Sequence, residues 1–233
     1  SGMLNGKEVA FRQASDGTVT VGNLYFLTNF DKGDPLANSS DWTGARTTPT
    51  VNNTTGLLTG SYTEKDPYLS SKVVLAYPVA EGDIVEIRIK NTVTSGSYTP
   101  LQMFYVTQEH TSYTESKSVR DTRTTYPADE FVTVQMKLPA DAVGQIITAI
   151  RVDPVNTSAT DPGTVSYAID YIYIGPADLS PYAQNTSYNF VSFKTGSGVE
   201  FTPGNVDVGG DVGDGGDDGG EHIDEIHGAV SAH

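Results

Sequence analysis

The sequence predicts an all-β protein: an antiparallel β-sandwich with extra terminal hairpins and an acidic Gly/Asp-rich tail. Ile84-Val85-Glu86-Ile87-Arg88-Ile89-Lys90 alternates strictly, which turns the Ile side to a core and Glu86, Arg88 and Lys90 to the other side. Short runs rich in β-branched and aromatic residues recur with turn residues between them, and few helices fit among them. Composition agrees. The chain has 233 residues, 37% hydrophobic and 18% charged, with 24 Gly and 13 Tyr, which describes a strand-and-turn protein long enough to bury a two-sheet core.

Taken in order, Val9 to Gln13 and Thr18 to Leu27 flank Ser15-Asp16-Gly17, the chemistry of a tight turn, so residues 1–23 form an N-terminal hairpin segment. The main domain, residues 24–176, carries strands over Tyr68 to Ala76, Asp83 to Lys90, Leu101 to Thr107, Phe131 to Leu138, Gln145 to Val152 and Ser166 to Ile174. The last run places one carboxylate, Asp170, among apolar and aromatic residues and ends in Gly175-Pro176. It reads as the closing strand, and its charge needs a partner. Tyr188 to Lys194 and Val199 to Phe201 flank Gly196-Ser197-Gly198, a second hairpin in an extension over 177–203. Residues 204–233 read as a flexible acidic linker and tail.

Net charge is −15, from 29 acids and 14 bases, so a nucleic-acid backbone is not an expected partner. Eight of those acids lie beyond Gly204, with no Lys or Arg among them, leaving 21 acids against 14 bases, or −7, for the body. No apolar run reaches the length of a membrane span and no signal peptide is read, so Ser1-Gly2-Met3 is expected to be a cloning scar on an excised segment. The absence of Cys fits a bacterial surface or secreted protein whose core needs no disulfides.

A family resemblance covers roughly residues 24–176. Asn29-Phe30-Asp31, Asp41-Trp42, Gly56-Leu57-Leu58-Thr59-Gly60, Asp66-Pro67-Tyr68-Leu69 and Val85-Glu86-Ile87-Arg88-Ile89-Lys90-Asn91 follow one another in an order that resembles jelly-roll carbohydrate-binding modules of multimodular bacterial surface proteins. Gln102-Met103-Phe104-Tyr105-Val106-Thr107, Ile150-Arg151-Val152-Asp153-Pro154 and Ile169-Asp170-Tyr171-Ile172 continue the series as in galactose-binding-like modules. The resemblance implies a non-catalytic jelly roll, often with a structural calcium ion, attached to glycoside hydrolases or cell-wall proteins. Its partners would be a polysaccharide or cell-wall glycan and the neighbouring modules of the same polypeptide.

A pyranose offers an apolar C–H face and a polar rim, so its site needs exposed aromatic faces beside hydrogen-bonding groups. Tyr62, Tyr98, Tyr113 and Tyr126 lie in polar, turn-like surroundings and are the candidate platforms. Trp42, the single Trp, is an anchor by size, with packing against the sandwich edge as the competing reading. Arg88, with Glu86, would line a cleft beside Gln102 and Tyr105 if their face is the concave one; a solvated cross-strand ladder is the plainer alternative. For calcium, Asp170 is the leading candidate ligand, with Asp31 and Asp34 of the Asp31-Lys32-Gly33-Asp34-Pro35 turn as companions. The competing reading satisfies Asp170 by backbone amides or by an Arg such as Arg151.

No enzyme is expected. Glu81-Gly82-Asp83-Ile84-Val85-Glu86 mimics the paired-carboxylate strand of laminarinase-like hydrolases, but Gly82 marks a turn where that pattern wants a bulky apolar residue. Gly209-Gly210-Asp211-Val212-Gly213-Asp214 lacks the regular apolar residue of a calcium-binding β-roll, and Glu221 to His227 lacks the spacing of a zinc protease helix. The chain reads as a glycan-binding module. The alternative is a spacer or adhesion domain of a surface protein that binds no sugar.

Overall fold

A computed structural model describes residues 2–4, 7–13, 19–22, 24–93, 98–157 and 163–187. An N-terminal antiparallel sheet is formed by β1 (Gly2–Leu4), β2 (Lys7–Gln13) and β3 (Val19–Gly22). Then come β4 (Phe26–Thr28), β5 (Trp42–Ala45), β6 (Thr50–Asn52), β7 (Leu57–Tyr62), β8 (Tyr68–Ser71), β9 (Tyr77–Pro78) and β10 (Asp83–Asn91). After these follow β11 (Tyr98–Thr99), β12 (Gln102–Thr107), β13 (Ser118–Arg120), β14 (Val132–Lys137), β15 (Ile146–Asp153), β16 (Asn156–Thr157) and β17 (Val165–Pro176). A 3-10 turn, Ala177–Leu179, and helix α1, Pro181–Ser187, end the described chain.

Two six-stranded antiparallel sheets make the sandwich. The first has the order β14-β10-β17-β7-β6, with β4 also pairing β17; the second has the order β13-β12-β15-β8-β5, with β9 also pairing β15. The opening strand β4 and the closing strand β17 are therefore neighbours, Ile172 opposite Thr28. The expected main-domain strands are found, shifted by a residue or two at their ends and cut short at Ser71 in the Tyr68 to Ala76 run. The run Thr18 to Leu27 divides instead, Val19–Gly22 joining the N-terminal sheet and Phe26–Thr28 the sandwich. The first part of the expected 177–203 hairpin extension is a 3-10 turn and helix; Tyr188 to Phe201 and the tail lie outside the described residues.

Alternation explains the core. Val85, Ile87 and Ile89 of β10 meet Met103, Tyr105, Ile150 and Val152 of the second sheet, and all are fully buried. Ile84 has the opposite parity and packs outside the first sheet with Tyr171, Tyr173, Tyr25 and Leu27. β17 follows a different rule. Its register with β10 shifts between Arg88, paired to Tyr171, and Ile89, paired to Ile169, so Asp170 is the extra residue of a β-bulge. Tyr167 and Ile169 face the core before the bulge, and Ile172 and Ile174 after it.

Candidate functional site

The outer face of the second sheet carries a cleft of ≈ 300 Å³. With Met103, Tyr105, Ile150 and Val152 committed to the core, Gln102, Phe104, Arg151 and Asp153 point outward by the two-residue period of a strand. Register then assembles rows across the sheet. One row places Ser118, Phe104, Arg151, Ser70 and Thr43 side by side; the next aligns Arg120, Gln102 and Asp153. Arg151 is the centre. Its guanidinium carbon lies 3.8 Å from the ring centroid of Tyr68 and 4.7 Å from that of Phe104, and its Nε and Nη2 each donate at 2.6 Å to the carboxylate of Asp153. Burial pushes the Asp153 carboxyl above its ordinary pKa even against this fork.

The rim is polar. Gln102 donates to Glu115 at 3.0 Å and to Ser118 at 2.8 Å, while its carbonyl oxygen accepts from Arg120 Nη2 at 2.6 Å. Tyr113, half-buried in the β12–β13 loop, lines the cleft, and burial raises its hydroxyl pKa. Asp66 also lines the cleft. It has a positive φ of 65°, as does Arg46 at 58°, and Arg46 Nη1 donates to the Asp66 carbonyl at 2.9 Å and to its carboxylate at 3.1 Å. Two backbones in a costly region are thus clamped together at the cleft's edge.

Of the residues expected to bind a sugar, Tyr113 and Gln102 come together in this cleft. Three others need correction. Trp42 is 3% exposed, donates from Nε1 to the Leu36 carbonyl and packs near Phe30. Tyr62 is buried with its hydroxyl donating to the Val155 carbonyl, and Tyr126 is buried with its hydroxyl donating to Asp121. Their rings offer no open face, because turn-like sequence surroundings do not prevent a ring from folding back under its loop. Tyr98 belongs to β11, and its side chain lies outside the described residues. Arg88 belongs to the first sheet and does not join Gln102 in the second, while Tyr105 faces the core. Phe104, Tyr68, Arg151, Asp153, Arg120 and Glu115 were missed. The first four were findable by fixing core parity on β8, β12 and β15 and reading the other face.

Asp170 is paired with Arg88, whose Nη1 stands 2.6 Å from its carboxylate oxygen, rather than with Arg151. Arg88 in turn lies 4.5 Å from the ring centroid of Phe131. Asp34 caps its own turn, accepting from the Asn29 and Asp31 amides at 3.0 and 3.3 Å. Asp170, Asp31 and Asp34 therefore do not make a cation site together, and among the described residues no group of three or more His, Cys, Asp or Glu could hold a metal ion. Glu86 is not part of a solvated ladder: it is fully buried, accepting from Tyr171 Oη, Gln135 Nε2 and the Tyr182 amide of α1. Asp83 accepts from Tyr77 Oη and the Ala80 amide, both at 2.8 Å, beside a Gly82 with φ of 85°. Three positions apart on one strand, Asp83 and Glu86 face opposite sides of the sheet and cannot flank one glycosidic bond.

No protein-family model matches the chain, and no curated protein matches it. Among solved structures it is similar in fold to a carbohydrate-binding module of the β-sandwich superfamily, at 14% identity and a TM-score of 0.40, over 69% of each chain. A xylan-binding module matches at 17% identity and a TM-score of 0.43, over 67% of this chain and 98% of its own. A family 11 carbohydrate-binding module from Clostridium thermocellum, in complex with a β-1,3-1,4-mixed-linked tetrasaccharide, matches at 14% identity and a TM-score of 0.37, over 66% of this chain and 96% of its own. Each likeness is partial, and the chain's function is read from its own cleft.

Proposed function

We propose that this chain is a non-catalytic carbohydrate-binding module of a secreted or surface-displayed bacterial protein, taking a poly- or oligosaccharide in the cleft on its second sheet. One observation carries the reading. Tyr113, Phe104 and Arg151 line the cleft together with Arg120, Glu115 and Gln102, so an aromatic ring stands beside the hydrogen-bonding groups that a pyranose needs. The open aromatic face is thus that of half-buried Tyr113, since Phe104 is buried and Arg151 covers the Tyr68 and Phe104 rings. A rival reading, a spacer or adhesion domain without sugar binding, is favoured by the way these polar groups satisfy one another, Gln102 through Arg120, Glu115 and Ser118, and Arg151 through Asp153.

A glycan array carrying plant and bacterial wall polysaccharides separates the two. Retention is expected on at least one neutral polysaccharide, with Tyr113→Ala and Arg120→Ala each weakening it roughly fivefold, given stacking and hydrogen-bond energies of about 1 kcal/mol each. A folded wild-type protein that retains nothing would establish the spacer. With Asp170 neutralised by Arg88, the calcium ion is not part of this reading. Retention and melting are expected to be the same in EDTA and in calcium; a melting temperature lowered by several degrees in EDTA would restore a cation site.

A further inference from the structure

We infer that a saccharide held in the cleft continues over the edge strand β13 into a second groove, so that two connected hollows bind consecutive units of one chain. This rests on the carbohydrate reading above and deepens it. β13 and β14 are the outermost strands of the two sheets, and they come together on one side of the sandwich. Alternation along them builds the groove. Val119 and Met136 turn inward and are buried, so their neighbours turn outward as two lips: Arg120, with Thr122 just beyond the strand, on the second sheet, and Gln135 and Lys137 on the first. The space between the lips is ≈ 330 Å³.

One side chain joins this groove to the cleft. Arg120 lines both, and Gln102 fixes it from the cleft side, its carbonyl oxygen accepting from Nε at 3.1 Å and from Nη2 at 2.6 Å. Among the described residues Nη1 of Arg120 has no acceptor, which leaves it to a ligand. Neighbouring strands lie about 4.8 Å apart, so the step from Gln102 on β12 to the lip on β13 is within reach of adjoining units of one saccharide. The chemistry of the groove suits a sugar. Lys137 makes no ion pair among the described residues, and Gln135, whose Nε2 donates to Glu86 at 2.6 Å, keeps its carbonyl oxygen for an incoming hydroxyl. Donors from Arg120 and Lys137 beside that acceptor match hydroxyls, which both donate and accept. No aromatic ring lines the groove, so it adds affinity to a chain already stacked in the cleft rather than capturing a sugar alone. With ≈ 300 Å³ in the cleft and ≈ 330 Å³ in the groove, each takes about one or two pyranose rings.

Titration of the full chain with xylo-, gluco- and galacto-oligosaccharides of one to six units tests the inference. In the series that binds, affinity is expected to rise more than about tenfold from the disaccharide to the hexasaccharide. Lys137→Ala combined with Thr122→Ala, both at exposed positions, is expected to lower hexasaccharide affinity roughly fivefold or more and to leave the disaccharide unchanged, whereas Tyr113→Ala weakens every length. Wild-type affinity level within about twofold from two units to six, or a folded double variant that binds the hexasaccharide as the wild type does, would overturn the second groove and leave the carbohydrate reading intact. No binding in any series would remove both.

Discussion

The carboxylate of Asp170 is nearly buried while its partner Arg88 is 39% exposed, an uneven pairing in which the guanidinium does most of its work by sparing Asp170 an uncompensated charge. Removing only the cation takes away the ion-pair partner of a nearly buried carboxylate, so Arg88→Met is expected to cost about 1–3 kcal/mol of unfolding free energy, discounted for exposure from the larger loss of a fully buried pair. Arg88→Met with Asp170→Leu should recover part of that loss, as a denaturant melt of the single and double variants would show; a double variant less stable than the single would speak against the pairing. The need for a partner at Asp170 was legible, since a lone charge in an apolar strand must be compensated. Its identity was not. Arg88 lies 82 positions away, and only the register of β10 against β17 brings the two together. Trp42 shows the converse limit: its size made it conspicuous, but a hydrogen bond to the Leu36 carbonyl six positions back depends on a loop path that no local pattern specifies.

At the scale of elements, alternation and turn residues were enough to place the sandwich strands, because a half-buried strand writes its two faces into sequence with a period of two. They could not show that β17 changes face midway, since an inserted bulge residue is invisible without the partner strand. The loops that wall the cleft were least legible, as their geometry rests on long-range hydrogen bonds such as Arg46 to Asp66. The contact between β7 and β17 gives a further test. Gly60 is paired with Tyr167, and a Cβ there would run into that ring, whose hydroxyl is hydrogen-bonded to Thr47 at 3.0 Å. Gly60→Ala is expected to destabilise by about 1–3 kcal/mol through displacement of the Tyr167 ring. Equal melting temperatures for variant and wild type would mean that the two strands part without strain.

Across the whole molecule, tyrosines tie the sandwich to pH. Burial pushes the hydroxyl of Tyr105 up to about 12, helped by the charge of Asp141, and that of Tyr167 up to about 12 against the opposing bond to Thr47. Burial also raises Tyr62, Tyr126, Tyr171 and Tyr173. A hydroxyl whose folded pKa exceeds the ordinary 10 favours the folded state fully below that pH, and the benefit drains away as pH climbs toward the folded value. The protein is therefore expected to hold its melting temperature through neutral and mildly basic buffers and to lose it steeply between about pH 10 and 12, with the part of the tyrosinate absorbance that belongs to these six rings rising together with the loss of structure. All thirteen tyrosines ionising near pH 10 in a protein that stays folded would contradict the burial of these six rings.

Helix α1 is fastened through the Tyr182 amide to Glu86, on the outside of the first sheet, whereas the cleft opens on the outside of the second. The described chain accordingly ends, at Ser187, on the side away from the cleft. A pull applied at Ser187 would therefore reach the molecule from behind, leaving the mouth of the cleft clear of the point of attachment.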